Sequence, residues 1–265
     1  MHCRMPSNGP KSRIRLNCWR AESRPLPYLT VKIKMTTQNE LVFLIDVDNT
    51  LLDDDKIQAD FHLYFDEQLG RDSRDRYEAI LGELWDKLGY CDYLGALQRY
   101  RLAYLADMNN PHLLQMVDFL LDYPFADVLY PKALDAVAHL GSLGRTVILT
   151  DGDGVYQPRK VQRSGLWRAV DGHVLIYVHK EKMLEDVAQR YPARHYMLVD
   201  DKLRILSAMK AIWGERLTTV FPRQGHFAFD AKIIASHASA DMTVEHIADL
   251  MHEDFPVLVT NSAPI

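Results

Sequence analysis

The 265-residue sequence predicts an α/β fold: a parallel sheet covered by helices on both faces and interrupted after its first strand by an all-helical insertion. Three observations predict it. Leu41-Val42-Phe43-Leu44-Ile45 and Thr146-Val147-Ile148-Leu149-Thr150 are short continuous apolar runs, the pattern of strands buried on both faces. Strand-like and helix-like segments alternate along the chain, which is how parallel sheets are built. The interval from Asp46 to Thr150 is 104 residues by their numbers, whereas a parallel crossover needs only about a dozen or more.

The elements follow in order. After the strand at 41–45, helical patterns run over 57–69, 74–88, 93–106 and 112–121, punctuated by Gly70, Gly89 and Asn109-Asn110-Pro111. A helix over 131–143 has Pro131 in its first turn and Gly144 at its end. Then come a strand at 146–150, a helix at 157–164, a strand at 174–178, a helix at 180–190 and a strand at 195–199. A helix at 203–212 closed by Gly214 and a strand at 217–221 complete the pattern. This divides the chain into a basic leader (1–35), a core (36–53 and 131–265) and the helical insertion (54–130). Both ends of the insertion leave near the tip of the first strand, so it is placed to cover what that strand presents. Its aromatics, including Tyr64, Tyr77, Trp85, Tyr93 and Tyr104, read mostly as the core of a small bundle.

Composition narrows the function. Hydrophobic residues make up 48% and charged residues 25%, ordinary for a chain that buries a core without staples. No apolar run approaches the ~18–20 residues of a membrane helix. Cys3, Cys18 and Cys91 are odd in number and widely spaced, neither a disulfide framework nor a zinc site, which points to a reducing, cytoplasmic setting. The net charge is −5, but residues 1–34 carry +7 and the remainder −12. An acidic body argues against nucleic acid as the core's partner. The leader lacks a secretory apolar segment, and Pro6, Pro10, Pro25 and Pro27 spoil an amphipathic helix. The readings it leaves open are a nucleic-acid arm, an organelle-targeting segment and a disordered tail; the tail is favoured, with Met35 a natural beginning. Neither a phosphate-binding Gly-x-x-x-x-Gly-Lys loop nor a Gly-x-Gly-x-x-Gly after a strand is present.

In open parallel sheets, ligands sit beyond the carboxyl ends of the strands. Four tips carry chemistry here: Asp46-Val47-Asp48-Asn49-Thr50, Thr150-Asp151-Gly152, His179-Lys180 and Asp200-Asp201. Taken singly, each has a bland reading: an Asp at a strand end caps a turn or helix, and a lysine is usually solvated. The ordered set is specific. On neighbouring strands, Asp46, Asp48, Asp200 and Asp201 converge, and four carboxylates cannot all stay ionised without cations. Mg²⁺ suits such an oxygen site when it is shared with a phosphate.

These pieces make the chain resemble the haloacid dehalogenase-like (HAD) hydrolase superfamily. The matching segments are Leu44-Ile45-Asp46-Val47-Asp48-Asn49-Thr50-Leu51, Val147-Ile148-Leu149-Thr150, Lys180 and Met197-Leu198-Val199-Asp200-Asp201, within residues 41–221. The resemblance implies a Rossmann-like core with strand order 5-4-1-2-3 and a helical C1-type cap. It implies Asp46 as nucleophile, Asp48 as acid and then base, and Thr150 with the backbone N–H groups of Asp151 and Gly152 as phosphate donors. It implies Lys180 as the site cation, with Lys182 a rival and Lys160 a more distant one. Mg²⁺ would bind Asp46, the Asp48 backbone carbonyl and Asp201, with Asp200 helping directly or through water. Members that displace halide need neither a leaving-group acid nor a metal, so Asp48 points to phosphate chemistry. The chain departs from many members at Ile205, where they carry an acidic residue. The expected activity is Mg²⁺-dependent hydrolysis of a small phosphorylated metabolite. The alternatives are a phosphomutase, a phosphonatase or dehalogenase, or a binding or regulatory protein that keeps the scaffold. Gln157, Arg159, Arg223, Gln224 and His226 lie within reach of the rim, with structural roles favoured for each.

Overall fold

Alternate side chains of the first strand, β1 (Leu41–Ile45), bury into two different clusters: Phe43 and Ile45 into one, Val42 and Leu44 into the other. A strand apolar on both faces needs a layer on each side, and that requirement organises the fold. The computed structural model describes residues 40–104, 109–253 and 255; the leader expected over 1–35 lies outside them.

The sheet is formed by β1, β2 (Arg145–Asp151), β3 (Val174–Tyr177), β4 (His195–Val199), β5 (Leu217–Pro222) and β6 (Met242–Val244), in the order β3-β2-β1-β4-β5-β6. Every pairing is parallel, and β1 sits centrally, Ile45 opposite Ile148 on one side and Val199 on the other. This is the expected 5-4-1-2-3 order read from the other edge, with β6 added. Three residues are too few to show a period, which is why β6 escaped the sequence reading.

Four helices lie between β1 and β2: α1 (Asp54–Leu69), α2 (Arg71–Leu88), α3 (Tyr93–Ala103) and α4 (Pro111–Asp122). Their ends follow local chemistry. The Asp53 side chain accepts from the Lys56 N–H, Asn110 accepts from the His112 N–H with Pro111 in the first turn, and Gly89 ends α2 at φ 79°. The reach expected for the third helix beyond Tyr104 lies outside the described residues. Phe61, Phe65, Tyr77, Tyr93 and Tyr100 form the bundle interior and continue into the core cluster through Tyr156. The Tyr93 and Tyr156 rings meet at 5.5 Å and those of Phe125 and Tyr156 at 5.9 Å.

The remaining helices are α5 (Ala133–Leu143), α6 (Tyr156–Arg163), α7 (Leu166–Ala169), α8 (Leu184–Arg190), α9 (Leu203–Trp213) and α10 (Ala231–Ser236). The sequence pattern did not show α7 and α10, and two of the expected helices differ from it. α5 starts two residues late because Lys132 takes φ 61°. The helix expected over 180–190 is a 3₁₀ turn, Lys180–Lys182, followed by α8, because His179 at φ 64° swings the chain over. Ile205, at the position that departed from the family pattern, is fully buried in the second core cluster.

Candidate active site

β1, β2 and β4 end in register, so Asp46, Thr150, Asp151, Asp200 and Asp201 emerge at one edge of the sheet. Asp46, Asp200 and Asp201 are each almost completely buried and offer carboxylate oxygens within 4.8 Å of one another. The left-handed turn at His179 drives Lys180 inward beneath them. Its ammonium, also buried, stands 2.6 Å from Asp46 Oδ1 and 2.7 Å from Asp200 Oδ2. The Lys180 backbone N–H donates to Asp151 Oδ1 at 2.7 Å, so the Asp151 side chain holds that turn.

Charge remains unmatched. Asp46 Oδ2 and both oxygens of Asp201 are buried with no hydrogen-bond partner, while Asp200 Oδ1 accepts from the Lys202 N–H at 2.8 Å. Burial pushes the Asp200 carboxyl up to about 6, against the pull of Lys180. Burial raises the Asp201 carboxyl well above the carboxylate range, Lys202 opposing it. Lys180 is also disfavoured as an ammonium by burial, yet Asp200 and Asp46 outweigh this and raise it.

Asp48 points elsewhere. Its Oδ1 is 2.7 Å from the ammonium of Lys160 and its Oδ2 accepts from Gln157 Nε2 at 3.1 Å. Burial pushes its carboxyl up to about 6, with Lys160 pulling the other way. Lys160 also meets Asp54 Oδ1 at 2.7 Å, and Gln157 donates to Thr150 Oγ1 at 3.0 Å. α6 thus presents one polar pair, Gln157 and Lys160, to the site from its buried side.

A cavity of about 480 Å³ opens between these tips and the helical insertion. Tyr93 and Trp85 line it from the insertion, its roof, and Asp48, Gly152, Lys160, Lys202 and His226 line it from the core. Asn49, at φ 58°, accepts from the N–H groups of Asp54 and Asp55 and donates to Asp55 Oδ1 at 2.9 Å. His226 in turn donates its backbone N–H to Asp55 Oδ2 at 2.8 Å, and its Nδ1 is 2.6 Å from Asp55 Oδ1.

The geometry brings Asp46, Asp200, Asp201 and Lys180 together and sets Asp48 beside them rather than among them. Lys180, not the exposed Lys182, is the lysine at the cluster. One expected donor is corrected: the Gly152 N–H, anticipated for phosphate, donates to the Tyr177 carbonyl at 2.9 Å as the parallel ladder continues past the strand end. Of the rim residues, Gln157 and His226 line the cavity. Arg159 instead ties α6 to α4 through Leu121 O and Asp122, and Gln224 bonds to Thr50 O and the Ile247 N–H. The contacts of Lys160 with Asp48 and Asp54 were missed. Their only signal is helical spacing, which puts Tyr156, Gln157, Lys160 and Val161 on one buried side.

An open parallel sheet that gathers buried acidic side chains and one lysine at its carboxyl edge, beneath a helical insertion, defines a class of hydrolases. The chain belongs to the haloacid dehalogenase-like hydrolase family, whose model matches residues 43–195. It is similar to a chain from Burkholderia xenovorans LB400 assigned to the haloacid dehalogenase-like hydrolases, at 58% identity and TM-score 0.78, covering 82% of this chain and 97% of that one. More distant structures share the fold. The HAD-hydrolase YfnB of Bacillus subtilis, in a magnesium-bound form, aligns at 19% identity and TM-score 0.55, over 81% and 98% of the two chains. The L-2-haloacid dehalogenase of Xanthobacter autotrophicus aligns at 16% identity and TM-score 0.52, over 80% and 96%. No curated protein matches the chain by sequence.

Proposed function

We propose that this hydrolase is a Mg²⁺-dependent phosphatase that cleaves a small phosphorylated metabolite through an aspartyl-phosphate on Asp46. The observation that carries the reading is the trio Asp46, Asp200 and Asp201, with Asp46 Oδ2 and both Asp201 oxygens buried and unpartnered. Leaving charged oxygens dry and unpaired is costly. A hard divalent cation with oxygen ligands fits that donor set. Asp46, Asp200 and Asp201 would hold it, with the Asp48 backbone carbonyl proposed as a further ligand. When bound, it supplies positive charge that screens a carboxylate from an approaching phosphate. Halide displacement needs neither that cation nor an acid such as Asp48.

In the proposed reaction Asp46 attacks phosphorus and the bond from phosphorus to the leaving oxygen breaks. Asp48 gives its proton to that oxygen. Asp48 then takes a proton from water as the water attacks the aspartyl-phosphate, which releases phosphate and restores Asp46. Lys180 keeps positive charge beside Asp46 throughout, and Thr150 donates its hydroxyl to a phosphate oxygen. The roof over the cavity favours substrates that fit beneath it and excludes water during attack. No helix among the described residues is long and apolar enough to cross a membrane. With the widely spaced cysteines, we place the enzyme in the cytoplasm, acting on free metabolites rather than nucleic acid.

The test is phosphate release from para-nitrophenyl phosphate and a panel of phosphorylated metabolites, with and without chelator. Mg²⁺-dependent release is expected, lost in Asp46→Asn once deamidation back to Asp is excluded. Metal-independent halide release from 2-chloropropionate, without phosphatase activity, overturns the reading in favour of a dehalogenase. Formation of phosphate-ester isomers in place of free phosphate overturns it in favour of a mutase.

A further inference from the structure

We propose that Lys160 is a positioning residue for Asp48, holding that carboxylate in place and tying it to Asp54 at the start of the helical insertion. The inference rests on the phosphatase reading. Lys160 is 1% exposed, and its ammonium makes two contacts of 2.7 Å, to Asp48 Oδ1 and Asp54 Oδ1. Gln157, one turn earlier on α6, takes the other Asp48 oxygen at 3.1 Å. Both oxygens of Asp48 are therefore held from one helix.

The arrangement is a poor way to gain stability. Burying an ammonium against two half-buried carboxylates costs desolvation energy that their attraction roughly repays, and apolar residues of similar size often do as well. What the ion pairs add is direction, since a charge-assisted hydrogen bond holds its acceptor at about 2.7–2.9 Å from the donor. Asp48 needs that, because an acid must sit within hydrogen-bond reach of the leaving oxygen to deliver its proton. It cannot get it from its own segment, which turns sharply at Asn49, φ 58°. Asp54 is the first residue of α1, so the same ammonium reaches from the core into the root of the insertion. Displacing α1 from α6 by more than a hydrogen-bond length would break one of the two contacts.

The test compares Lys160→Gln with wild type on dinitrophenyl, para-nitrophenyl and phenyl phosphates, with Mg²⁺ present. The leaving groups rise in basicity in that order and depend increasingly on a proton donor. If Lys160 acts through Asp48, kcat on phenyl phosphate falls at least about tenfold further than kcat on dinitrophenyl phosphate, with KM within about twofold. In an Asp48→Asn background, Lys160→Gln then adds no further loss. Asp54→Asn, which frees one contact and keeps the other, shows the same ordering of leaving groups with smaller losses. Equal losses on all three esters, or losses that add in the Asp48→Asn background, overturn the proposal. Should Lys160→Gln fail to fold, Lys160→Gln with Asp54→Asn removes one stranded carboxylate together with the amine and is read the same way. A wild-type enzyme that releases no phosphate from any of the three esters overturns the phosphatase reading itself, an outcome distinct from equal losses in an active enzyme.

Discussion

Lys180 and Asp46 are 134 residues apart along the chain and 2.6 Å apart in space. The contact closes over β2 and β1, with the Lys180 ammonium also 3.2 Å from the Leu149 carbonyl and 2.7 Å from Asp200. Three strands thus converge on one buried cation. Replacing Lys180 by Met would leave two buried carboxylates without their partner. The expected cost is about 3–5 kcal/mol of stability, the usual penalty for breaking a buried pair from one side, read from denaturant unfolding. Phosphate release should fall at least about a hundredfold, in line with loss of a preorganised charge at the reacting centre.

Asp201 gives a contrasting expectation. Both of its oxygens are unpartnered, and burial disfavours its charge. Asp201→Asn should leave the metal-free protein as stable as wild type or slightly more so, because it replaces an unpartnered buried carboxyl whose charge burial already disfavours. The Mg²⁺ concentration for half-maximal activity should rise by at least about 10-fold, as weakening even the support of a ligand does. Thermal melts should show the wild type gaining up to about 2.7 kcal/mol at a hundredfold excess of Mg²⁺ over its dissociation constant, and the variant gaining less.

Tyr156 separates packing from hydrogen bonding. Its ring is buried against Tyr93 and Phe125, and its hydroxyl has no partner. Tyr156→Phe should be neutral or stabilising, since it deletes an unsatisfied polar group. Tyr156→Ala should cost about 3–5 kcal/mol through the cavity it opens between insertion and core. Chemical denaturation of both variants checks the contrast.

Gly225 stands at φ 67°, and a Cβ there would lie 2.4 Å from Asn49 Cβ. Gly225→Ala should therefore destabilise by about 1–3 kcal/mol, the range for a forced left-handed residue. It should also disturb the Asn49, Asp55 and His226 contacts at the cavity mouth. A fall in kcat/KM larger than any change in kcat is the expected kinetic sign.

Cys91 lines the cavity, and burial pushes its thiol up to about 12. Only the thiolate reacts readily. In a Cys3→Ser, Cys18→Ser background, alkylation of Cys91 by iodoacetamide should stay slow from neutral pH to about pH 9 while the protein is folded, because the pH remains below the raised value, and should become fast in denaturant. Rapid modification of the folded protein would show that the thiol is not shielded.

The sequence by itself determined the sheet and its loaded tips. Leu41–Ile45 is apolar without interruption, and such a strand can be satisfied only in the middle of a parallel sheet, so its central position and the carboxyl-edge placement of Asp46 followed from local pattern, while the place of His195–Val199 beside it, with Asp200 and Asp201 at its tip, followed from the family resemblance. The helical insertion was legible for the same reason: a crossover far longer than geometry requires must hold structure of its own.

Tertiary structure decided everything that depends on where a long side chain ends. Lys180, Lys182 and Lys160 are alike in a sequence. Only the turn at His179, at φ 64°, sends Lys180 under the carboxylates and leaves Lys182 in solvent. Only the packing of α6 against α4 and the 3₁₀ turn Phe125–Val128 brings Lys160 between Asp48 and Asp54, 112 and 106 residues distant. Hydrophobic periodicity reports which side of an element faces inward, because burial acts on every residue of that face. It carries no information on pairs of polar atoms from separate elements, whose meeting is set by the crossing of helices and strands and by a single backbone turn.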